Sequence, residues 1–270
     1  MAKLLGKNVL VTGASSGIGE AIAIRFGQEG ANVAVNYFSN AKNAEVVKQK
    51  VERAGEHLGK DKPRAIVVGG DVSDEEKVKK VFDETLRAFG SLDILINNAG
   101  IQMPCPSHEI KTADFDRIIG VNLRGAFLCA RAAIQQFLAQ GTGGVIVNNS
   151  SVHEIIPKPK YLPYSISKGG LGNLTKTLAL EYADRNIRVN SVAPGATVSP
   201  INKAWIDDPK ARAEVVSHIP MGRAGTAEEM AGAFVFLASD DSSYVTGQTL
   251  YVCGGLTLYP EFRVAWSSGE

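Results

Sequence analysis

The stretch Val9-Leu-Val-Thr-Gly13-Ala-Ser-Ser-Gly17-Ile-Gly19 decides the fold. A short apolar run leads into three glycines, and a segment of helical character follows. Glycine is needed where a backbone turns tightly and approaches a pyrophosphate, and the next helix then offers N–H donors and the positive end of its dipole. An ordinary glycine-rich turn can have the same spacing. The position of this stretch between the first strand and the first helix favours a dinucleotide site.

Outward from this stretch, short β-branched runs alternate with helical segments. Strands are predicted at 8–12, 32–36, 65–69, 92–96, 145–149, 188–192 and 249–252, and helices at 18–30, 41–58, 74–89, 113–139, 162–184, 201–217 and 227–238. Several strands are nearly continuous apolar runs, as in parallel strands covered on both faces. The pattern predicts an α/β fold, a Rossmann-like doubly wound parallel sheet of about seven strands with helices on both faces. Ser73 with Glu76, and Thr226 with Glu229, predict capping boxes.

Composition limits the classes of function. The chain has 270 residues, of which 44% are hydrophobic and 21% charged, with a formal net charge of +1. No linker divides it, so we expect a single domain over residues 1–270. The sequence has no basic run of the kind that binds nucleic acid. No apolar run reaches the length of a membrane span, about 20 residues. Because the first strand is predicted from Asn8, we expect no signal peptide before it. Three cysteines without metal-ligand spacing predict free thiols, no metal and a cytoplasmic protein.

The second predicted strand ends without the acid that NAD-preferring enzymes place on the ribose 2′-OH. The stretch is Val35-Asn36-Tyr37-Phe38-Ser39-Asn40, and no arginine stands here or at Ser16 to bind a 2′-phosphate. We therefore expect use of both NADP and NAD. Asp71-Val72, after the third strand, could contact the adenine or simply precede a helix cap at Ser73. Asn97-Asn98-Ala99-Gly100, after the fourth, either lets the cofactor approach or forms a plain turn.

A second group of residues, Ser151, Tyr164 and Lys168, indicates proton transfer. Tyr164 and Lys168 are four residues apart on a predicted helix and share a face. A phenolate could take a proton from a hydroxyl, and we expect the Lys168 ammonium and an oxidised nicotinamide to lower the pKa of Tyr164 by about three units. Each residue could instead be structural, as a snorkelling lysine or a strand-end hydroxyl. Their joint order favours catalysis.

Taken in order, several motifs resemble those of the classical short-chain dehydrogenase/reductase family, over nearly the whole chain. They are T-G-x-x-x-G-I-G, N-N-A-G, N-L-x-G at Asn122, Ser151, Tyr164 with Lys168, and Pro194-Gly195. Within the family, the loops at 106–109, 150–154, 199–202, 219–222, 244–247 and 259–260 are similar to those of bacterial glucose 1-dehydrogenases. Binding loops carry substrate choice, so these segments indicate the subgroup.

The resemblance implies roles for individual residues. It makes Asn122, Ser151, Tyr164 and Lys168 catalytic, with Asn122 anchoring a water that relays protons to Lys168. It also implies a substrate lid at about 198–217 and a homotetramer supported by the segment 246–262. The expected cofactor contacts are Gly13, Ser15, Ser16, Gly17, Ile18, Gly19, Asn36, Tyr37, Asp71, Val72, Asn98, Ala99, Gly100, Tyr164, Lys168, Pro194 and Gly195.

The expected substrate is a sugar, which is recognised by several directed hydrogen bonds. Two positions depart from the glucose subgroup, which usually has Glu at 102 and Lys at 205 where this chain has Gln102 and Trp205, and this leaves the particular aldose open. The candidate substrate contacts are Gln102, Ser151, His153, Tyr164 and Asn202.

These residues favour an NAD(P)-dependent dehydrogenase that oxidises C1 of an aldose, with β-D-glucose first, to the lactone, with Tyr164 as general base. The alternative enzyme is an NADPH-dependent carbonyl reductase of the 3-oxoacyl-thioester type. The sequence shows no obvious basic patch that would bind an acidic carrier protein. A nucleotide-sensing protein without turnover is the alternative of another class. A sensor would have no need of the proton-transfer residues.

Overall fold

The computed structural model describes residues 2–258. Its strands are β1 (Asn8–Val11), β2 (Asn32–Tyr37), β3 (Ala65–Gly69), β4 (Ile94–Asn97), β5 (Gly144–Asn149), β6 (Ile187–Pro194), β7 (Thr197–Val198), β8 (Gly225–Thr226) and β9 (Thr249–Val252). Seven of them form a parallel sheet in the order β3-β2-β1-β4-β5-β6-β9, and β7 pairs separately with β8. This confirms the predicted doubly wound α/β fold.

Helices cover both faces of the sheet. They are α1 (Gly17–Gln28), α2 (Ala41–Ala54), α3 (Glu75–Phe89), α4 (Thr112–Ile119), α5 (Gly125–Gln140), α6 (Leu162–Tyr182), α7 (Lys203–Ile206), α8 (Pro209–Ser217) and α9 (Ala227–Ala238). One buried cluster joins α1, α2 and α9 to the sheet, and a second joins α3, α5 and α6 to its other face.

The two clusters explain why the strands are continuous apolar runs. Side chains alternate between the two faces of a strand. In β1, Val9 and Val11 belong to the first cluster, while Leu10 belongs to the second. Because helices cover both faces, both sets of side chains are buried, and no polar alternation remains in the sequence.

One of the two predicted capping boxes is wrong. The N-cap of α3 is Asp74, whose carboxylate accepts from the backbone N–H groups of Glu76 (3.0 Å) and Lys77 (3.2 Å). Ser73 is not free to cap, because its N–H and its hydroxyl both donate to Asp71. The second box, at the start of α9, is confirmed with both of its reciprocal hydrogen bonds.

Three predicted helices differ from the observed ones. The segment 41–58 ends as α2 at Ala54, before Gly55, and a 3₁₀ segment follows over Glu56–Asp61. The segment 113–139 consists of α4 and α5 joined by a π turn over Gly120–Arg124. The segment 201–217 is divided into α7 and α8, because Pro209 fits the first position of a new helix and disfavours helical geometry in the residue before it.

Within residues 2–258, no helix has the length and apolarity needed to cross a membrane. The same residues contain no group of three or more His, Cys, Asp or Glu side chains arranged to hold a metal ion. Cys105, Cys129 and Cys253 are free thiols. The motif at 259–260 and the end of the segment 246–262 lie outside the described residues, and the single-domain organisation stays a prediction.

Replacing Gly27 with Ala should lower the free energy of unfolding by about 1–3 kcal/mol, because overpacking strains a well-packed contact. A Cβ at this position of α1 would lie 2.6 Å from the carbonyl oxygen of Val51 on α2. Gly232 on α9 is the matched control, since a Cβ there would meet no atom within 4 Å. Gly232→Ala should stabilise the helix by about 0.5–1 kcal/mol. Denaturant titration of both variants measures the difference, and equal shifts would contradict the packing argument.

Candidate active site

A cleft of about 690 Å³ opens at the carboxyl ends of the strands, where the strand order reverses between β1 and β4. Open α/β sheets bind ligands at this switch point, since the loops there diverge to opposite faces. One end of the cleft is lined by the glycine loop after β1. The other end is lined by Tyr164 on α6 and by the segment that carries α7 and α8.

The glycine loop has the geometry of an anion site. Gly13 and Gly17 both have φ +60°, which L side chains rarely adopt, and a Cβ on Gly13 would lie 2.8 Å from the Cα of Ala99. Ser16 is the N-cap of α1, but its side chain makes no capping hydrogen bond. The first N–H groups of α1 are therefore free of a side-chain cap and lie at the positive end of the helix dipole.

Hydrogen bonds join the ends of three strands beneath this loop. The Thr12 hydroxyl accepts from the N–H groups of Asn98 (2.9 Å) and Ala99 (3.1 Å). The Asn98 side chain donates to the carbonyls of Thr12 (2.9 Å) and Gly13 (3.0 Å), and it accepts from the Asn149 amide at 2.8 Å. The N-N-A-G motif is therefore more than a plain turn, because it joins the ends of β1, β4 and β5.

The predicted contacts at the end of β2 are only partly brought to the cleft. Asn36 lines it, but its side chain is bonded within the protein. It accepts from Gly13 N–H at 3.2 Å and donates to the carbonyls of Val68 in β3 (3.2 Å) and Gly70 after it (3.3 Å). Tyr37 does not line the cleft, because alternation along the strand turns its ring toward Gly69. Phe38 and Ser39, which the sequence reasoning missed, line it instead. Phe38 is 67% exposed.

Asp71 combines the two interpretations that the sequence left open. Its carboxylate accepts from the N–H (2.9 Å) and the hydroxyl (2.7 Å) of Ser73, so it organises the loop before α3. Asp71 and Val72 also line the cleft.

A dinucleotide fits this half of the cleft. Besides the uncapped helix and the glycines, two buried lining atoms, Asn149 Oδ1 and Ser199 Oγ, have no hydrogen-bond partner among the described residues.

Tyr164 and Lys168 meet on one face of α6, which begins with Pro163 in its first turn. Lys168 is only 5% exposed, and its Nζ donates to the carbonyl of Asn149 at 2.7 Å. The same atom lies 5.5 Å from the centroid of the Tyr164 ring. Burial lowers the pKa of Lys168 to about 8, while the charge of Glu154 raises it.

Burial raises the pKa of Tyr164, which is the reverse of the lowering expected from the sequence. Desolvation disfavours the phenolate, and the hydrogen bond with Ser151 acts in the opposite direction. Ser151 is itself held in place, since it is the N-cap of a 3₁₀ turn and its Oγ accepts from His153 N–H at 3.2 Å. Ser151 and Tyr164 thus meet in the lining of the cleft.

His153 is positioned to accept a hydrogen bond. Its Nδ1 lies 3.0 Å from the carbonyl oxygen of Ile156, and its ring packs edge-on at 6.2 Å from that of Tyr164. The pKa of His153 is lowered, mainly by burial. The hydrogen bond with Ile156 raises this pKa, and the charge of Lys158 lowers it. The lowered pKa favours the neutral ring. Because a carbonyl only accepts, the proton is on Nδ1, and Nε2 is an acceptor.

Asn122 lies behind the cleft rather than in its lining. It belongs to the π turn between α4 and α5, a feature frequent at functional sites. Its amide accepts from Ile101 N–H (2.8 Å) and donates to the Ile101 carbonyl (2.9 Å) and to Ser167 Oγ (3.1 Å). Asn122 thus fixes the loop after β4 to α6. The water relay to Lys168 stays a prediction.

The other predicted substrate contacts, Gln102 and Asn202, lie on opposite sides of the cleft and meet each other. Gln102 Nε2 donates to the carbonyl of Ile201 (2.9 Å) and to Asn202 Oδ1 (3.4 Å). Asn202 Nδ2 donates to the carbonyl of Thr197 at 2.9 Å. The expected lid, 198–217, also contributes Trp205 and Val215 to the lining. Its closure stays a prediction.

Two charged residues of this region, Glu154 and Lys158, were not predicted from the sequence as site residues. Glu154 accepts from the hydroxyls of Ser150 (2.6 Å) and Thr249 (3.1 Å), and its charge acts on Lys168. Glu154 could have been predicted, because it belongs to the S-S-V-H-E segment that resembles a loop of the glucose 1-dehydrogenases. Lys158 lines the cleft, and no pattern in the sequence distinguishes it from other lysines.

The glycine loop, the uncapped helix and the buried tyrosine–lysine pair define a dinucleotide-dependent oxidoreductase. The family model for enoyl-(acyl carrier protein) reductase matches residues 13–257. A glucose 1-dehydrogenase of Gluconobacter oxydans is 53% identical over 98% of this chain and 97% of its own length. A 3beta-hydroxysteroid dehydrogenase of Eggerthella lenta is 50% identical over 96% of this chain and 97% of its own length.

A solved gluconate 5-dehydrogenase from Burkholderia cenocepacia, in complex with NADP and tartrate, has a TM-score of 0.85 and 34% identity. The alignment covers 94% of this chain and 96% of that one. The chain belongs to the short-chain dehydrogenase/reductase family, which confirms the resemblance seen in its motifs. It is an NAD(P)-dependent dehydrogenase.

Replacing Phe38 with Arg should raise the ratio of kcat/KM for NADP⁺ over NAD⁺ about tenfold, because a guanidinium can pair with a 2′-phosphate. Phe38 lines the cleft next to the bonded Asn36, where no cation stands. Steady-state rates with each cofactor measure the ratio. Phe38→Gln is the control for loss of the ring, and an equal change in that variant would show that charge is not the cause.

Replacing Glu154 with Gln should shift the alkaline limb of the kcat/KM profile to lower pH. The resemblance implies that Lys168 acts as a cation. That charge is lost as pH rises through its pKa of about 8, and the Glu154 charge holds that pKa up. The pH profile of both enzymes measures the shift. Thr249→Val removes a hydrogen bond to Glu154 without removing its charge. An alkaline limb that stays at the wild-type pH in Glu154→Gln would contradict the assigned effect.

Proposed function

We propose that the protein oxidises the C1 hydroxyl of an aldose, with β-D-glucose as the first candidate, and reduces NADP⁺ or NAD⁺ while releasing the lactone. The observation that carries this proposal is the set of fixed polar groups around Tyr164. His153 offers an acceptor beside its ring, and Gln102 and Asn202 line the same end of the cleft. A sugar offers hydroxyls rather than apolar area, so it is recognised by such directed groups. The 53% identity to a glucose 1-dehydrogenase supports the same substrate class.

The proton and the hydride leave the sugar to different acceptors. The phenolate of Tyr164 takes the proton of the C1 hydroxyl, and the Ser151 hydroxyl hydrogen-bonds the reacting oxygen. When bound, the nicotinamide supplies the acceptor of the hydride that leaves C1. Lys168 holds its ammonium near the Tyr164 ring, and it would bind the nicotinamide ribose when the cofactor is present. Positioned general base catalysis is worth about 10²–10⁴ in rate.

The proposal requires that Tyr164 ionise in spite of its burial. Lowering a pKa by three units takes about 4 kcal/mol of differential interaction, which nearby charges can supply in a dry site. The Ser151 hydrogen bond acts in this direction within the chain. The ammonium of Lys168 and the positive charge of the oxidised nicotinamide would supply the rest. We therefore expect oxidation to become faster as pH rises toward the pKa of Lys168, about 8, and to slow above it as the ammonium is lost.

A hydrophobic alcohol or a ketone is the second candidate substrate class. The lining also includes Ile101, Val152, Ile201, Val215 and Leu256, and a relative at 50% identity is a 3beta-hydroxysteroid dehydrogenase. The same proton-transfer residues can run in the direction of reduction, as in the 3-oxoacyl-thioester reductase alternative. Family membership argues against the nucleotide sensor without turnover.

The homotetramer also belongs to the proposal. Large apolar side chains are exposed on α5 and α6, among them Phe127, Ile166 and Leu180, the last 87% exposed. Apolar surface of this kind favours contact with another subunit. The segment 198–217 is proposed as the lid over the substrate, since Trp205 and Val215 reach the cleft from it.

The experiment measures absorbance at 340 nm with a panel of aldoses and NAD⁺ or NADP⁺. Glucose and its epimers should be oxidised, and a 3β-hydroxysteroid should not. Tyr164→Phe should lower kcat at least about 10²-fold, since the proton acceptor is lost. Tyr182→Phe, at the last residue of the same helix and outside the lining, should leave kcat close to the wild-type value. Consumption of NADPH with a β-ketoester, and no aldose oxidation, would move the protein to the reductase class.

A further inference from the structure

The substrate end of the cleft contains a cation that the proposed chemistry does not use. Lys158 follows the turn that holds Ser151 and His153, and it lines the cleft in a half-buried position. Its Nζ lies 3.9 Å from the centroid of the Tyr161 ring. Burial lowers the pKa of its ammonium, and no carboxylate in the described part of the chain acts against that shift. The charge is therefore without an ionic partner among residues 2–258.

Lys158 is close to the reacting groups. Its charge lowers the pKa of His153, whose ring is in edge contact with that of Tyr164. Arg117, Lys168 and His218 also line the cleft and add no negative charge. Glu154 is outside the lining, and its charge acts on Lys168. Asp71 is the lining acid among the described residues, and it is held by Ser73 in the loop before α3. Apart from Asp71, the described lining of the cleft therefore contains no carboxylate that could pair with Lys158.

The donor groups of the neighbouring polar side chains are engaged within the protein. The amide nitrogens of Gln102 and Asn202 donate to the carbonyls of Ile201 and Thr197, and His153 Nδ1 donates to that of Ile156. The Lys158 ammonium contacts the face of the Tyr161 ring, but no carboxylate of the described residues pairs with it. An anion that binds this partly desolvated ammonium would form a charge-assisted hydrogen bond. A neutral hydroxyl would satisfy it less well.

We propose that Lys158 selects a polyhydroxylated substrate that carries a carboxylate or phosphate at the end remote from the oxidised hydroxyl. This inference rests on the proposed function in that it takes the reactant to be polyhydroxylated. The hydroxyl to be oxidised lies against Ser151 and Tyr164, the acceptor nitrogen of His153 binds a neighbouring hydroxyl, and the anion pairs with the Lys158 ammonium. Lys158 is then a specificity residue and takes no part in proton transfer.

The test compares D-glucose, D-glucuronate and D-glucose 6-phosphate as substrates with NADP⁺. Wild-type kcat/KM should be higher for one of the two anions than for glucose, and which anion it is identifies the group. Lys158→Met should lower kcat/KM for that anion about tenfold or more, mainly through KM, and change glucose by less than about twofold. Lys158→Arg should restore the anion preference. Lys160→Met is the matched control, an exposed lysine on the same loop that is outside the lining.

Ligand binding without turnover separates this inference from the proposed function. Thermal unfolding is followed with NADP⁺ present, with and without sodium glucuronate, glucose 6-phosphate or glucose. If no aldose is oxidised, but an anion raises the Tm of the wild type and not of Lys158→Met, the proposed function fails and the role of Lys158 holds. If glucose and the anions react equally, or Lys158→Met weakens all three alike, the inference is overturned while aldose oxidation stands. An equal loss in Lys160→Met would also overturn it.

Discussion

The hydrogen bonds between Thr12 and Asn98 set the geometry on which the rest of the cleft depends. They hold the ends of β1 and β4 together at the point where the chain divides to the two faces of the sheet. Gly13 is pressed against Ala99 there, and that contact is possible only without a side chain. Asn149 extends the network, since its amide binds Asn98 while its carbonyl receives the Lys168 ammonium. One set of buried polar groups therefore positions both the glycine loop and the lysine.

Burial acts on the two titrating groups of α6 in a way that favours their neutral forms. It raises the pKa of Tyr164 and lowers that of Lys168, so a neutral phenol beside a neutral amine is favoured over a phenolate beside an ammonium. The two states hold the same number of protons. Ser151 and Glu154 favour the ionised pair, the first by a hydrogen bond and the second by its charge. The site thus opposes desolvation with specific groups, as acid/base sites commonly do.

The sheet, its helices and most of the cleft lining could be predicted because they depend on local patterns. Apolar runs fix buried parallel strands, and the glycine spacing at Gly13 marks a tight turn. The errors arise where a tertiary contact decides. Ser73 is a good capping residue in isolation, but Asp71 engages it. Tyr37 is next to the correct position, and the direction of its side chain depends on where the strand ends. Lys158 belongs to no motif, and its importance depends on the charges and the burial around it.

The amide of Gln102 spans the cleft from the loop after β4 to the segment that carries α7 and α8. Any outward movement of that segment has to break these hydrogen bonds or carry the side chain with it. Gln102 is also one of the groups that a sugar would meet. The affinity for the sugar and the rate of product release therefore both depend on the Gln102 side chain. In an enzyme limited by product departure, a change at this position alters the turnover rate and the choice of sugar together, so the two traits cannot evolve independently there.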